Sequence, residues 1–390
     1  MQITIYSPDR HFIYDGATPD DKGVGGGLTA RVRIAAALAA RGNDVSVICN
    51  CPFQSRFDGV SYVPLDSLRK IETEVLIAHS SGDKFDISAL LDIPVKARLK
   101  VVAISGIGLP KGTVEFAPRA VYACSNFVRT EVARHFPFIP LQEIFVTYYG
   151  VNSWNWPNLF SPRRDPQRLI YSSHPSKGLE ASRELLRQLR TRDPRFTLHA
   201  FGGNQLWGGI GDPPPSEPGM FDGGLINQRN LAGEYKRSAF LLQLQTRPEP
   251  FGITVVEAMA AGCLVIASPV GAFPEFVKHG ENGFLIEGDP ADALTIGRAA
   301  ELILDVSKNP KLAYKIRQRA SSTPFTWRTI ARVWQSHLEW LIDGKKAQPL
   351  QADRARCAEC DGVSLMLADG YHCTSCGYFG RERRASPAMC

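Results

Sequence analysis

Short apolar, β-rich runs alternate with helical patterns along most of this chain, and that alternation limits its fold more than any other feature. Gln2–Tyr6 reads as a first strand. An Asp- and Gly-rich stretch ends in Gly25-Gly26-Gly27, Leu28–Arg41 reads as a helix with Arg31 and Arg33 on its wet face, and Asp44–Cys49 is the next strand. This strand, glycine loop, helix, strand opening is that of a doubly wound α/β domain. Val75–Ala78, Val101–Ile104, Ala120–Cys124 and Ile144–Tyr148 continue it as buried parallel strands, with Asn126–His135 as an amphipathic helix. The segment Trp154–Pro166, with three prolines and two tryptophans, breaks the pattern and places a boundary at 162. A second series then runs through strands Leu169–Ser173, Phe196–Phe201, Phe240–Gln245, Leu264–Ala267 and Phe284–Ile286. Its helices are Leu179–Arg192, Ala232–Ser238, Ile253–Ala261, Ala291–Val306 and Pro310–Ala320, and the Gly- and Pro-rich 207–224 reads as a loop. The expectation is α/β: two facing Rossmann-like doubly wound domains (1–162 and 163–325), a closing helix over 326–345, a linker over 346–353 and a small module over 354–384.

Composition excludes several alternatives. The net charge of +6 is spread over 390 residues, so nucleic acid is disfavoured as the main ligand. No uninterrupted apolar run reaches the roughly 18–20 residues that span a bilayer. Residues 1–9 carry no basic, apolar leader pattern. The expected location is cytoplasmic, with peripheral contact at the inner membrane surface as the other option.

The densest chemistry surrounds residue 250. In Ile253–Ala261, Glu257 is the only polar residue besides Thr254. A carboxylate on so apolar a helix lies next to the core, and burying it unpaired costs several kcal/mol or shifts its pKa. Its partner is either an internal arginine or the hydroxyls of a ligand. Thr246–Gly252 follows a strand at its C-terminal edge, where open α/β sheets bind ligands. Gly252 permits close backbone approach, and the N–H groups of Ile253 and Thr254 open a helix, a ready anion site. Lys177, in Tyr171-Ser-Ser-His-Pro-Ser-Lys-Gly-Leu179, also falls between a strand end and a helix, where it meets phosphate well.

Glu249-Pro-Phe-Gly-Ile-Thr-Val-Val-Glu257, continued by Ala-Met-Ala-Ala-Gly-Cys-Leu-Val-Ile-Ala267 and by Gly271-Ala-Phe-Pro-Glu-Phe-Val-Lys-His-Gly-Glu-Asn-Gly-Phe-Leu-Ile286, resembles the E-x7-E region of retaining glycosyltransferases with the GT-B fold, family 4 in particular. The resemblance implies a nucleotide-sugar donor and a glycan, lipid-linked or small-molecule acceptor. Glu257 would hold the ribose hydroxyls and Glu249 would face the donor sugar. Lys177 would neutralise the departing diphosphate. Phe251, Gly252, Ile253 and Thr254 would line sugar and diphosphate with backbone donors, and Gly26, Gly27, Ser173, Gly202, Gln228 and Arg229 would complete the donor site. The chain departs from the family at Ser172, where an arginine is usual, with His174 or Arg229 as substitutes. It departs again at Ser105-Gly106, where many relatives carry a histidine, and His79 stands in as the acceptor-side candidate beside Ser105. No Asp-x-Asp occurs in the candidate loops, so catalysis is expected without a divalent metal. The alternatives are another GT-B enzyme (a nucleotide-sugar epimerase or a sugar phosphorylase) or a silent scaffold that recruits a partner through its tail.

Cysteines divide by position. Cys49, Cys51, Cys124 and Cys263 read as reduced, buried thiols. Cys357-Ala-Glu-Cys360 and Cys373-Thr-Ser-Cys376 have the spacing of a tetrahedral zinc site. Val363–Leu367 and Gly370–His372 between them suit a hairpin, so the tail resembles a zinc ribbon. The zinc would be structural, and the ribbon would either serve stability alone or bind a protein partner.

Overall fold

The computed structural model describes residues 1–81, 85–139, 141–156, 164–209, 217–322 and 325–343, and the backbone of four short strands in the tail. Backbone contacts divide the chain into two compact units: Met1–Gly16 with Ala30–Gly150 and Thr326–Cys390, and Ala17–Thr29 with Val151–Phe325.

The first unit is built on strands β1 (Gln2–Tyr6), β2 (Asp44–Cys49), β3 (Ser55–Phe57), β4 (Val60–Pro64), β5 (Ile71–Ser80), β6 (Val95–Ile104), β7 (Ala120–Ala123) and β8 (Ile144–Val146). They form one sheet in the order β3-β4-β2-β1-β5-β6-β7-β8, parallel except for the edge strand β3. The order reverses at β1, so the C-terminal ends of β1 and β5 flank a switch point. β5 and β6 begin earlier than their apolar runs suggested. The first half of β6 alternates between half-buried and exposed positions, so only its doubly covered second half reads as continuously apolar.

The helices, in chain order, are α1 (Thr18–Asp21), α2 (Gly26–Ala39), α3 (Thr113–Phe116), α4 (Asn126–His135), α5 (Leu179–Arg192), α6 (Gln228–Arg237), α7 (Ile253–Ala260), α8 (Phe273–Phe276), α9 (Ala293–Lys308), α10 (Pro310–Ala320) and α11 (Trp327–Asp343). α2 starts inside the glycine run rather than after it. α11, the closing helix, belongs to the first unit. There Trp334 meets the Tyr122 ring edge-on at 4.8 Å, and His337 stacks on Phe145 at 3.8 Å.

The second unit carries β9 (Asp165–Ser173), β10 (Thr197–Gly202), β11 (Met220–Asp222), β12 (Ser238–Gln243), β13 (Leu264–Ala267) and β14 (Phe284–Leu285). Its sheet runs β11-β10-β9-β12-β13-β14, all parallel, with the first strand central. That is the Rossmann order, with its switch between β9 and β12. β12 and β13 are buried at every position. Leu185, Leu186 and Leu189 of α5 and Ile296, Ala299 and Ile303 of α9 pack into the core around them. Two sequence expectations need correction. The stretch 207–224 contains strand β11, and the units part at Gly150 rather than at 162. The tryptophan segment is already part of the second unit: Asn155 is buried, and Trp156 donates from Nε1 to the carbonyl of Ser321 at 2.9 Å.

In the tail, β15 (Ala355–Arg356), β16 (Val363–Leu367), β17 (Gly370–Cys373) and β18 (Phe379–Gly380) form an antiparallel sheet in sequence order. It includes the hairpin read between the cysteine pairs. Cys357, Cys360 and Cys376 lie outside the described residues. No helix among the described residues is long and apolar enough to cross a membrane.

Candidate functional site

The chain leaves β9 at Ser173 and turns at once through a 3-10 turn, Pro175–Lys177, into α5. Tyr171, buried in the core, donates its hydroxyl to the carbonyl of His174 at 2.6 Å and pins this turn. Gly178 closes it with φ +99°, and a Cβ there would stand 1.9 Å from the Leu244 carbonyl oxygen. Only glycine allows that approach, and it sets Lys177 against the exit of β12.

The exit of β12 carries the other half of the site. Glu249 Oε2 accepts from Lys177 Nζ at 2.7 Å, and both side chains are less than one-fifth exposed. The backbone of Glu249 is held in turn by Gly271: the Ala272 N–H donates to the Glu249 carbonyl at 2.9 Å, and a Cβ on Gly271 would come within 2.3 Å of it. α7 then opens at Gly252 (φ +84°) with no side-chain cap on its first turn. Phe251 turns its ring inward, 4.8 Å from Phe276, so it offers the site its backbone. One turn into α7, Glu257 is 4% exposed, and its Oε1 accepts from Gln228 Nε2 at 2.8 Å. One partner of this buried carboxylate is thus an amide at the start of α6.

The glycine run joins this edge. Gly26 lies against Ile253, with a Cβ reaching 3.1 Å from its Cγ2, and Gly25 lies against the Leu206 carbonyl. Both belong to the second unit, as do Ser173 and Gly202 at the ends of β9 and β10. Gly27 follows in the first turn of α2.

The structure separates the candidates for the missing arginine. Ser172 faces the core and shares a hydrogen bond with Tyr235 Oη at 2.9 Å, so a guanidinium does not fit there. Arg229 lies over the Trp154 ring at 4.9 Å. His174 stacks on Trp207 at 3.7 Å and 11°. Burial, then Lys177 and Arg247, lower its pKa, so near neutral pH it carries no charge to offer. Trp207 and Arg247 went unread in the sequence. The first sat in a glycine- and proline-rich stretch, and the second beside the signature glutamate.

The acceptor-side candidates occupy the first unit. Arg31 and Arg33 are buried, not on a wet face. Arg31, 1% exposed, pairs with Asp9 at 2.7 Å, donates to Tyr14 Oη at 2.6 Å and donates from Nε to His79 Nδ1 at 3.3 Å. With Nδ1 accepting, the His79 proton sits on Nε2, which faces Ser105 Oγ, and Ser105 bonds onward to Tyr149 Oη. Burial and then Arg31 push the His79 pKa down to about 3. His79 is thus a neutral hydrogen-bond donor at physiological pH, and this tautomer takes no proton from an acceptor hydroxyl. A cavity of about 20 Å³ adjoins His79, Ser105, Cys124, Tyr149 and Trp327, room for about one water.

Residues 223–323 match the family described as "Glycosyl transferases group 1", a segment that contains Gln228, Glu249 and Glu257. Glycogen synthase of Mycobacterium tuberculosis is 28% identical over 54% of this chain and 52% of its own length. D-inositol 3-phosphate glycosyltransferase of Streptomyces avermitilis is 34% identical over 27% of this chain and 22% of its own. The chain thus spans about half the length of the first of these curated relatives, and less of the second. Among solved structures, sucrose-phosphate synthase from Thermosynechococcus elongatus aligns with a TM-score of 0.63 at 18% identity, over 88% of this chain and 100% of that one. Anabaena Alr3699/HepE, solved with UDP and glucose, aligns at 0.61 and 17%, over 87% and 100%. At these identities the likeness establishes the fold, a two-domain α/β architecture of the GT-B kind with parallel sheets.

Proposed function

We propose that this chain is a retaining glycosyltransferase that moves a sugar from a nucleotide-sugar donor to a hydroxyl acceptor without a catalytic metal. The observation that carries this reading is the grouping of Glu257, the Lys177–Glu249 pair and the uncapped start of α7 at the C-terminal edge of one Rossmann-ordered sheet. Glu257, almost fully buried, receives the ribose hydroxyls. The diphosphate lies toward Lys177 and the N-terminus of α7, which stabilise the charge that grows on the β-phosphate as the anomeric bond breaks. Glu249 orients the sugar and steadies the oxocarbenium-like centre, and the acceptor attacks from the face the diphosphate leaves. Incubation with UDP-, ADP- and GDP-sugars should release the diphosphate from one donor and raise the mass of an added acceptor by one sugar. Interconversion of donor sugars alone would indicate an epimerase, and release requiring inorganic phosphate a phosphorylase.

Glu257→Gln tests the ribose role. It keeps the shape and removes the charge, and charged hydrogen bonds contribute about 1.5–3 kcal/mol each. Nucleoside diphosphate affinity should fall by roughly 10- to 100-fold, read by calorimetry, with little change in melting temperature. Unchanged affinity would remove Glu257 from the site.

The tail is proposed to hold a structural zinc through Cys357, Cys360, Cys373 and Cys376. The strand register supports the fit: Ala355 and Cys373 both pair with Ser364, so β15, which leads into Cys357, and the end of β17 meet at one end of the sheet. Four thiolates would complete a tetrahedral shell with no open position, and the metal would contribute folding energy there. Chelation should release one zinc per chain and expose the tail to protease while nucleotide binding persists. Loss of nucleotide binding on chelation would contradict the assignment of zinc to the tail alone.

A further inference from the structure

Trp207 stands at the end of the 3-10 turn Asn204–Trp207 that follows β10, with its ring half exposed. Three side chains from two other loops converge on that ring. His174 stacks on it at 3.7 Å, Lys177 Nζ lies 5.7 Å from its centroid, and the Arg247 guanidinium lies 5.0 Å from it. Lys177 has Glu249 as its counter-ion. Among the described residues no carboxylate pairs with Arg247. With His174 neutral, two cations lie beside one aromatic ring and one carboxylate pairs with the first of them, an arrangement with an excess positive charge. Like charges drawn together repel, and a π-face offsets only part of that. An anion between Lys177 and Arg247 would complete the balance.

We propose that Arg247 is the second phosphate-binding cation of this chain, held in place by Trp207, and that it does the work for which Ser172 is unsuited. The ligand class is a diphosphate ester. Arg247 leaves the chain two residues before Glu249, so its guanidinium and the Lys177 ammonium reach the same ring from the exits of β12 and β9. A planar guanidinium makes paired hydrogen bonds to phosphate oxygens, which the neutral His174 does not. A ring beside the guanidinium takes up none of its N–H donors. The inference rests on the donor-binding reading for the identity of the ester, but its anion chemistry can be read separately.

The test is calorimetric titration of the wild-type chain, Arg247→Ala, Arg247→Lys and Trp207→Leu with three probes: inorganic pyrophosphate, a panel of nucleoside diphosphates, and the matching nucleosides. Arg247 and Trp207 are exposed, so all variants should fold, and melting temperatures check this. Arg247→Ala should weaken pyrophosphate and the preferred nucleoside diphosphate about 10-fold or more and leave the nucleoside unchanged. Arg247→Lys should recover part of the loss, and Trp207→Leu should weaken the same two probes. Equal diphosphate affinity in Arg247→Ala and wild type would overturn the role of Arg247 while leaving the donor reading in place. Pyrophosphate binding that depends on Arg247, without any preference for a nucleoside diphosphate, would support the anion site and overturn the donor reading. An equal loss of nucleoside binding would mean that Arg247 acts through loop structure, and would overturn its phosphate role.

Discussion

Lys177→Ala is expected to lower kcat for donor turnover by roughly 10²- to 10³-fold, the size of effect seen when one preorganised donor to a developing oxyanion is removed. The fall in kcat/KM should be at least as large, since the ammonium acts most strongly as charge collects on the leaving phosphate. The pair with Glu249 at 2.7 Å adds a second consequence. Without Lys177, Glu249 is left as a largely buried carboxylate, and its orientation against the sugar loosens. Lys177→Arg should restore part of the rate, because it returns the charge but not the compact ammonium held by Gly178. Steady-state release of nucleoside diphosphate measures both variants. A kcat within about threefold of wild type in Lys177→Ala would exclude leaving-group stabilisation by this residue.

The largest effect on stability is expected in the first unit. Asp9→Ala strands the Arg31 guanidinium, which is 1% exposed, and breaking a buried pair by removing one partner costs about 3–5 kcal/mol. Asp9 also accepts from Ser80 Oγ at 2.9 Å and the Ser81 N–H at 3.0 Å. Asp9→Asn, which keeps some of those bonds, should cost less. The double variant Asp9→Leu/Arg31→Met, which removes both charges, should recover much of the loss.

Acid should act on the same cluster. Burial pushes the Asp9 carboxyl up, but Arg31 with the Ser80 and Ser81 hydrogen bonds pulls it below 3.8, and His79 is depressed from 6.5 to about 3. Both folded values lie below the unfolded ones, so the unfolded chain binds more protons and stability falls as pH drops. The His79 loss spans 6.5 to about 3, and the Asp9 loss begins near 3.8 and continues below it. Chemical denaturation between pH 7 and 4 should show the His79 component in the wild type. A flat profile would mean that His79 is not held neutral.

How much of this was legible in the sequence differs between the two units. In the second unit β12, β13 and the second half of β9 are buried and the glycines carry close approaches, so apolar runs and punctuation revealed these strands and the edge they share. Glu257 stood out because its helix is otherwise apolar, whereas the Gln228 amide that donates to it comes from the start of α6 and left no local sign. Arg247 escaped notice because its meaning lies in Trp207, forty residues earlier in the chain, and nothing local links them. In the first unit Arg31 was misread for a related reason. A helix pattern marks an arginine as solvent-facing, whereas its counter-charge, Asp9, comes from the loop after β1 and its other partners from β5 and the loops around it. Long-range ion pairs of this kind override the local pattern and leave no periodic trace in it. The 162 boundary failed because proline marked a break in secondary structure, whereas the packing of Asn155 and Trp156 decides which unit owns the segment.

The strand edge carrying Lys177, Glu249 and Glu257 is proposed to bind a nucleotide-sugar donor. Calorimetric titration of the purified chain with UDP, ADP and GDP, each followed by competition from the corresponding nucleotide sugar, tests it most directly. One preferred nucleoside diphosphate is expected, bound at one site per chain and displaced by its own sugar derivative, with affinity reduced roughly 10- to 100-fold in Glu257→Gln. Absence of binding by all three diphosphates in the folded wild-type protein would contradict it and leave the chain a glycosyltransferase fold without the donor chemistry.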